Sequence, residues 1–235
     1  MSPLYVALGD SMSIDEYAGG PARGAASLLH RNRDDDFPEW AGRDLAAAGY
    51  ELAMLAVDGA TSGTIDWQLG LIPRRPDLIT LTIGGNDLLL AYGNGPAGRA
   101  AVLDAIRNVE TALTRLRERF GETPKIMLTT VYDPSDGAGE LPGSGLPPWP
   151  EGLVSLAALN EELRRLAAGH RTLLADVHER FLGHGYGAGD ASAFEARPAD
   201  RNLWYSGTIE PNAWGASEIR AAWWGVLAAA RVVDG

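Results

Sequence analysis

The apolar run LYVAL at residues 4–8 passes directly into GDS at residues 9–11, and this junction is the clearest fold signal in the chain. Five consecutive apolar residues without polar alternation are typical of a strand covered on both faces of a parallel sheet. Glycine, aspartate and serine are ordinary turn residues. The junction therefore predicts a buried strand that ends in a polar turn.

The same pattern recurs along the chain. We predict five strands, which are Leu4–Leu8, Leu52–Val57, Leu78–Ile83, Ile126–Val131 and Leu173–Val177. Apolar residues at three- and four-residue steps predict helices, which are Trp40–Ala48, Arg99–Phe120, Leu153–Ala168 and Ala216–Val232. Because strands alternate with helices, the sequence predicts an α/β fold, a three-layer α/β/α sandwich with right-handed crossovers. One domain over residues 1–235 accounts for all of these elements.

Three stretches fall outside this alternation, and each follows a predicted strand directly or within a few residues. They are Ser13–Asp36, Pro134–Pro150 and Gly183–Ser206. In an open α/β sheet, the loops after the carboxyl ends of the strands build the functional site. We therefore expect these three loops to surround one cleft.

Charge and composition exclude several classes of partner. The 235 residues include 31 acidic and 20 basic side chains, for a net charge of -11, which argues against nucleic acid and anionic membranes. There is no cysteine, which excludes disulfides, thiolate metal sites and a cysteine nucleophile. No apolar run approaches the roughly 20 residues of a membrane span. Since no secretion signal precedes the first strand, we expect a cytoplasmic protein.

Three strand ends carry residues that suit acyl transfer. Ser11 follows the first strand, where its hydroxyl would face the cleft as a nucleophile and its N–H would lie near an oxyanion. Gly59 follows the second strand, and a glycine lets the backbone turn its N–H inward. Asn86 follows two glycines after the third strand, and its neutral amide suits a developing oxyanion.

Together these three blocks resemble the SGNH (GDSL-type) hydrolase family, and the resemblance extends from Ser2 to about Asn212. It implies a flavodoxin-like fold with the strand order 2-1-3-4-5 in the five-stranded parallel sheet. It also implies that Ser11 is the nucleophile of a cofactor-free hydrolase. The oxyanion hole would then consist of the Ser11 and Gly59 N–H groups and the Asn86 side chain.

The last block departs from the family pattern, which usually ends in D-x-x-H-P-N and supplies the aspartate and histidine of a triad. The corresponding stretch is GTIEPN at residues 207–212. Glu210 occupies the histidine position and Gly207 the aspartate position. Since no histidine lies beyond His184, the usual triad is absent.

A serine nucleophile needs a base within about 2.6–3.2 Å, and three arrangements remain. In the first, a histidine from another loop is the base and Glu210 orients it; His184, between two glycines, ranks ahead of His178 and His30. In the second, Glu210 is itself the base, with its pKa raised by burial. In the third, the site only binds a ligand or uses its carboxylates for another reaction. His170 is expected to end a helix, where it favours the dipole.

Our interpretation is a serine esterase that hydrolyses small carboxylic esters, either short-chain esters or O-acetyl esters of sugars. The alternatives on the same scaffold are a non-catalytic ligand- or carbohydrate-binding protein and an acyltransferase. The catalytic candidates are Ser11, His184 and Glu210, and the candidate substrate contacts are Asp10, Trp204 and Trp149. We expect no metal ion, and no partner other than a small-molecule ester.

Overall fold

The computed structural model describes residues 2–141, 143–188, 192 and 203–233. Its strands are β1 (Leu4–Gly9), β2 (Glu51–Met54), β3 (Leu78–Thr82), β4 (Lys125–Thr129), β5 (Leu173–Ala175), β6 (Tyr205–Ser206) and β7 (Glu210–Pro211). Its α-helices are α1 (Ala25–His30), α2 (Ile65–Gly70), α3 (Gly85–Leu90), α4 (Gly95–Phe120), α5 (Pro150–Gly169), α6 (Val177–Phe181) and α7 (Ala213–Ala229).

The first five strands form one parallel sheet in the order β2-β1-β3-β4-β5, and β6 pairs with β7 in an antiparallel hairpin. The five predicted strands, their order and the α/β sandwich are therefore confirmed. The register aligns Gly9 with Thr82, and Thr82 with Thr129. Because the carboxyl ends of β1, β3 and β4 lie level, the segments that follow them meet at one edge of the sheet.

Helices cover both faces of the sheet, because successive side chains of a strand point to opposite sides. Val6 and Leu8 of β1 pack in one apolar core with α2, α4 and α5. Tyr5 and Ala7 pack in a second core with α1, α6 and α7. The predicted helices within α4, α5 and α7 are confirmed, although α7 begins three residues earlier than the predicted Ala216.

Two buried amide side chains hold the ends of the central strands. Gln68 of α2 accepts a hydrogen bond from the Gly9 N–H at 2.7 Å and donates one to the Gly9 carbonyl at 2.8 Å. Asn160 of α5 makes the same pair with Val131 after β4, both at 2.7 Å. Buried backbone groups need hydrogen-bond partners. These amides therefore allow the two strands to end inside the protein.

The predicted helix Trp40–Ala48 is wrong, and the helix of this crossover lies earlier in the chain. Pro38–Trp40 forms a short 3-10 helix, after which Gly42 has a φ of +77°, a left-handed conformation that ends helical structure. The Asp44 carboxylate then accepts the Ala47 N–H at 2.8 Å and fixes a turn. The helix is α1, which lies inside the segment predicted as an irregular loop. Its six residues are too few for a period to stand out.

The other two predicted loops have different outcomes. Pro134–Pro150 is irregular over its described residues until α5 begins, as predicted. Gly183–Ser206 is described only at residues 183–188, 192 and 203–206, so most of this predicted loop lies outside the described residues. Among the helices of the described part of the chain, none is long and apolar enough to cross a membrane.

Gly9→Ala is expected to lower the free energy of unfolding by about 2–5 kcal/mol. Gly9 has a φ of +117°, and a Cβ there would lie 1.8 Å from the Thr82 carbonyl oxygen of the neighbouring strand. Gly49→Ala is the matched control, since its φ is +81° but its Cβ would meet nothing within 4 Å. Gly49→Ala is expected to lower the free energy of unfolding by about 1–2 kcal/mol. Urea denaturation compares the two variants, and equal losses would contradict the prediction.

Candidate active site

Ser11 lies in the turn that leaves the carboxyl end of β1. The Asp10 N–H donates to the Thr82 carbonyl at 3.0 Å, and the Asp10 carboxylate accepts from the Met12 N–H at 3.2 Å. The Ser11 carbonyl accepts from the Ile14 N–H at 3.3 Å. These bonds fix the backbone on both sides of Ser11, which is 7% exposed and lines a cleft.

Glu210 reaches Ser11 from the far end of the chain. It begins β7, and Asn212 directly after this strand caps α7. The Tyr132 hydroxyl holds the preceding turn by donating to the Ile209 carbonyl at 2.8 Å. In this position the Glu210 carboxyl lies close enough to the Ser11 side chain for it to affect the pKa of Glu210, and the buried Oε2 of Glu210 has no hydrogen-bond partner among the described residues. The structure thus brings together the predicted nucleophile and the residue at the family's histidine position.

Burial raises the pKa of the Glu210 carboxyl from 4.5 to about 7. The neighbouring Ser11 side chain lowers this pKa, whereas the nearby Asp10 charge raises it further. Burial also raises the pKa of Asp10 to about 6, although its carboxylate accepts a hydrogen bond from the Met12 N–H. Asp10 therefore lines the cleft with a carboxylate that is bonded into the serine turn. A carboxylate with a pKa near 7 is matched to proton transfer at neutral pH.

Asn86 and Gly59 belong to two loops that hydrogen bonds tie together. Asn86 Nδ2 donates to the Ala60 carbonyl at 3.0 Å. The Asp87 carboxylate accepts from the N–H and the hydroxyl of Ser62, at 2.9 and 2.6 Å. Gly59 lies in this turn with a φ of +68°. Asn86 lines the same cleft as the serine, and the hydrogen bonds bring the turn that holds Gly59 close to it.

The structure places the four histidines at separate positions. His184 is 1% exposed, and its imidazole stacks on the Trp204 indole with 3.3 Å between ring centroids. His178 is half-buried near β5, and burial lowers its pKa. His30 is the last residue of α1, and its Nε2 lies 3.0 Å from the Tyr50 carbonyl oxygen. His170 directly follows α5, as predicted. Among the described residues that line the serine cleft, no histidine is present.

The cleft beside Ser11 has a volume of about 110 Å³. Its apolar lining residues are Met12, Leu88, Leu89, Tyr92, Val131, Tyr132, Leu141, Trp149, Leu153, Leu156 and Ile209. Of the two tryptophans predicted to contact substrate, Trp149 lies in this lining. Trp204 instead packs inside the second core, where it contacts the Phe181 ring and the His184 imidazole.

Several residues that shape the site were not predicted. Gln68 holds the strand before the serine, and Tyr132 holds the turn before Glu210. The signal for Gln68 is its position on the apolar stripe formed by Ile65 and Leu69, which places an amide on the buried face of α2. Tyr132 follows the predicted fourth strand directly, which places it at the same sheet edge as the serine.

Comparisons with known proteins agree with the fold. A model of the GDSL-like Lipase/Acylhydrolase family matches residues 7–216. The acetyl xylan esterase AlAXEase superposes with a TM-score of 0.66 at 16% identity, over 94% of this chain and 98% of that one. A catalytic mutant of Axe2, an acetylxylan esterase from Geobacillus stearothermophilus, superposes with a TM-score of 0.64 at 15% identity, over 96% of this chain and 94% of that one. An extracellular lipase from Streptomyces rimosus superposes with a TM-score of 0.58 at 20% identity, over 97% of this chain and 100% of that one. No curated protein matches the sequence.

These findings define the class of the protein as an ester hydrolase built on an α/β sandwich. The chain belongs to the GDSL-like Lipase/Acylhydrolase family, because the family model spans most of its length. The resemblance stated from the three strand-end motifs is therefore confirmed, and so is the prediction of an enzyme. The solved structures, at these identities, bear on the fold alone.

Glu210→Gln is expected to stabilise the protein above neutral pH and to leave its stability nearly unchanged in acid. The pKa of Glu210 is about 7 in the folded state, against an ordinary value of 4.5 that applies to the unfolded chain. The favourable contribution of the protonated carboxyl is therefore present below the lower value and lost as the pH rises through about 7. We expect the variant to gain about 1–3 kcal/mol at about pH 8.

Urea denaturation in acid and in mild base measures this difference. Glu118→Gln on the exposed side of α4 is the control, because it removes a carboxylate that is not buried. Its effect is expected to stay below about 0.5 kcal/mol at both pH values. A gain for Glu210→Gln that is the same in acid and base would refute the assignment of the raised pKa.

Proposed function

We propose that this protein is a serine esterase that hydrolyses small carboxylic esters, with Ser11 as the nucleophile and Glu210 as the general base. The observation that supports this proposal is that Ser11 lies beside a carboxyl group, Glu210, whose pKa burial raises to about 7. A general base must lie within hydrogen-bond reach of the proton that it takes, and it works best when its pKa is near the operating pH. Glu210 meets both requirements.

The first step is the acylation of the serine. As the Ser11 Oγ attacks the carbonyl carbon of the ester, its proton passes to the Glu210 carboxylate. The carbonyl π electrons move to the oxygen and form a tetrahedral oxyanion. When this intermediate collapses, the bond to the alcohol oxygen breaks and the protonated Glu210 returns the proton to the leaving alcohol. The product of this step is an ester between the acyl group and Ser11.

The oxyanion is stabilised by three neutral donors, which are the N–H groups of Ser11 and Gly59 and the Asn86 Nδ2. The hydrogen bond from Asn86 to Ala60 holds that amide in place, so little reorganisation is needed as the charge develops. These donors must stabilise the oxyanion against the negative charges of Asp10, Glu16 and Asp58, which lie near Glu210. In the second step a water molecule attacks the acyl-serine, Glu210 takes the water proton, and Ser11 Oγ recovers a proton as it leaves.

The substrate that we propose is a small-molecule ester. The structural neighbours are named as esterases of acetylated xylan and as a lipase, so both short acyl groups and longer lipid esters occur on this fold. A cleft of about 110 Å³ beside the nucleophile supports the short end of that range.

Ser11→Ala is expected to abolish turnover of p-nitrophenyl esters, and Glu210→Gln is expected to lower kcat by about 10²–10⁴. In the unmodified enzyme, kcat/KM should rise about tenfold per pH unit in acid and level off above a pKa of about 7, because only the ionised Glu210 accepts the proton. Steady-state kinetics across this pH range tests both expectations. Full activity of Ser11→Ala would refute the serine mechanism, whereas an absence of turnover in the unmodified protein would favour the ligand-binding alternative.

His184→Phe separates the two candidates for the base. Phenylalanine preserves a ring that stacks on Trp204 and removes the imidazole nitrogens. If Glu210 is the base, the folded variant should retain activity within about threefold of the unmodified enzyme, whereas an imidazole base would cost about 10²–10⁴. The stability of the variant is measured in parallel, so that a loss of folding is not taken for a loss of catalysis.

Asn86→Ala is expected to lower kcat by about 10²–10³ with little change in KM, since the amide acts on charge that develops only in the transition state. Asn94→Ala is the control. Asn94 caps α4 by accepting the Ala97 N–H at 3.0 Å, so its loss should cost about 1 kcal/mol of stability but no activity. If Asn86→Ala raises KM and leaves kcat unchanged, Asn86 does not belong to the oxyanion hole.

A further inference from the structure

We propose that the cleft beside Ser11 is the acyl-binding pocket of the esterase, and that it selects unbranched acyl groups of about four to six carbons over acetyl. This inference rests on the proposed function, because it assigns the two sides of the ester relative to Ser11. The argument depends on the chemistry of the cleft lining, the position of Glu210 and the volume of the cleft.

The aromatic hydroxyls of the lining are bonded to loop backbone. The Tyr92 hydroxyl donates to the Pro147 carbonyl at 2.8 Å. The Tyr132 hydroxyl donates to the Ile209 carbonyl at 2.8 Å. Because each hydroxyl proton is engaged in the protein, these residues contribute aromatic carbon to the cleft.

Two of the polar side chains that line the cleft after β4, Asp133 and Ser135, are hydrogen bonded within their own loop. Asp133 Oδ1 accepts the N–H and the hydroxyl of Ser135 at 2.9 and 2.6 Å, and its Oδ2 accepts the Gly137 N–H at 2.8 Å. The Ser135 Oγ accepts the Gly139 N–H at 2.8 Å. These two side chains are therefore engaged before a substrate arrives, whereas the Glu140 carboxylate, which also borders the cleft, is exposed. An occupant rich in hydroxyl groups would leave its own polar groups unpaired there.

Trp149 is held in the lining by two glycines. A Cβ on Gly98 would lie 2.8 Å from the indole ring, and one on Gly152 would lie 2.4 Å from it. The ring of Tyr92 packs against the same indole, with centroids 5.3 Å apart. Trp149 Nε1 is buried and has no hydrogen-bond partner among the described residues, and the rest of the indole is carbon surface. This part of the pocket suits an aliphatic chain.

The position of Ser11 between the cleft and Glu210 determines which part of the ester lies in the cleft. Glu210 returns its proton to the leaving alcohol, so the alcohol must lie on the Glu210 side of Ser11. Among the described residues that line the cleft, Ser11 and Asn86 belong to the proposed machinery, whereas Glu210 is not one of them. The acyl chain therefore extends from the carbonyl carbon into the cleft.

The volume of the cleft sets the length of the chain. An apolar cavity of about 150 Å³ in another protein holds one benzene molecule. A cleft of about 110 Å³ therefore has room for several methylene groups beyond the carbonyl carbon. The methyl group of an acetyl ester would leave most of this apolar surface uncovered. Each methylene group that becomes buried is expected to raise kcat/KM about fourfold.

The first experiment compares p-nitrophenyl acetate, butanoate, hexanoate and decanoate on the unmodified enzyme. We expect kcat/KM to rise about tenfold or more from acetate to butanoate, to be highest at butanoate or hexanoate, and to gain nothing further for decanoate. Ser11→Ala is measured on every ester. If turnover depends on Ser11 but acetate is the best substrate, the acyl-pocket inference is overturned and the proposed function stands.

The second experiment fills the pocket and uses neighbouring positions as matched controls. Leu89 lines the cleft at the end of α3, whereas the next residue, Leu90, is 82% exposed. Leu89→Trp should lower kcat/KM for hexanoate by about tenfold and leave acetate within about threefold. Leu90→Trp should leave kcat/KM unchanged for both hexanoate and acetate. An equal loss on all esters in folded Leu89→Trp would overturn the inference.

A second pair of variants protects this test against a failure of Leu89→Trp to fold. Leu153 lines the cleft from α5, and its neighbour Val154 is 69% exposed. Leu153→Trp is expected to shift the preference toward acetate, whereas Val154→Trp should keep the original chain-length profile. If no ester is hydrolysed in a Ser11-dependent way, the proposed function fails, and the inference fails with it.

Discussion

The close approach of β1 to β3 is the constraint on which the rest of the site depends. The Gly9 backbone lies so near the Thr82 carbonyl that no side chain fits between them. The same carbonyl accepts the Asp10 N–H, and Gln68 satisfies the remaining groups of Gly9 from the other side. Since the strand ends in this fixed geometry, Ser11 is held at the sheet edge by backbone contacts. Its position does not depend on the partners of its own hydroxyl.

The chemistry of the site follows from placing a carboxylate where the family usually has an imidazole. An exposed glutamate is too acidic to take a proton from serine at neutral pH, so the difference must come from the environment. Burial and the Asp10 charge raise the pKa of Glu210 to about 7. If Glu210 is the base, as we propose, the charged carboxylate that catalysis needs is the form that burial disfavours, so it lowers the stability of the folded protein. Activity and stability are thus expected to change in opposite directions as the pH rises through this range.

Much of the fold could be predicted from the sequence, because the five apolar runs are long enough to identify strands covered on both faces. The segment Trp40–Ala48 was misread, since its apolar spacing did not reveal that Gly42 adopts a left-handed conformation. Ser11 and Asn86 were found because they directly follow strands. The contact between Ser11 and Glu210 was left among several alternatives, because it joins residues distant in sequence. A choice between Trp149 and Trp204 also needed the structure, since both lie in loops of similar composition.

In the proposed mechanism, the two helical layers contribute different parts of the reaction. Leu88, Val131 and Leu156 belong to the core that α4 and α5 cover, and they also line the cleft. Glu210 comes from the hairpin before α7, which packs in the opposite core. In the proposed mechanism, an ester bound at Ser11 would lie across the edge of the sheet, with its acyl chain over one layer and its leaving alcohol beside the other. Because the two halves are built by separate elements, the chain-length preference can change without altering the residues that move the proton.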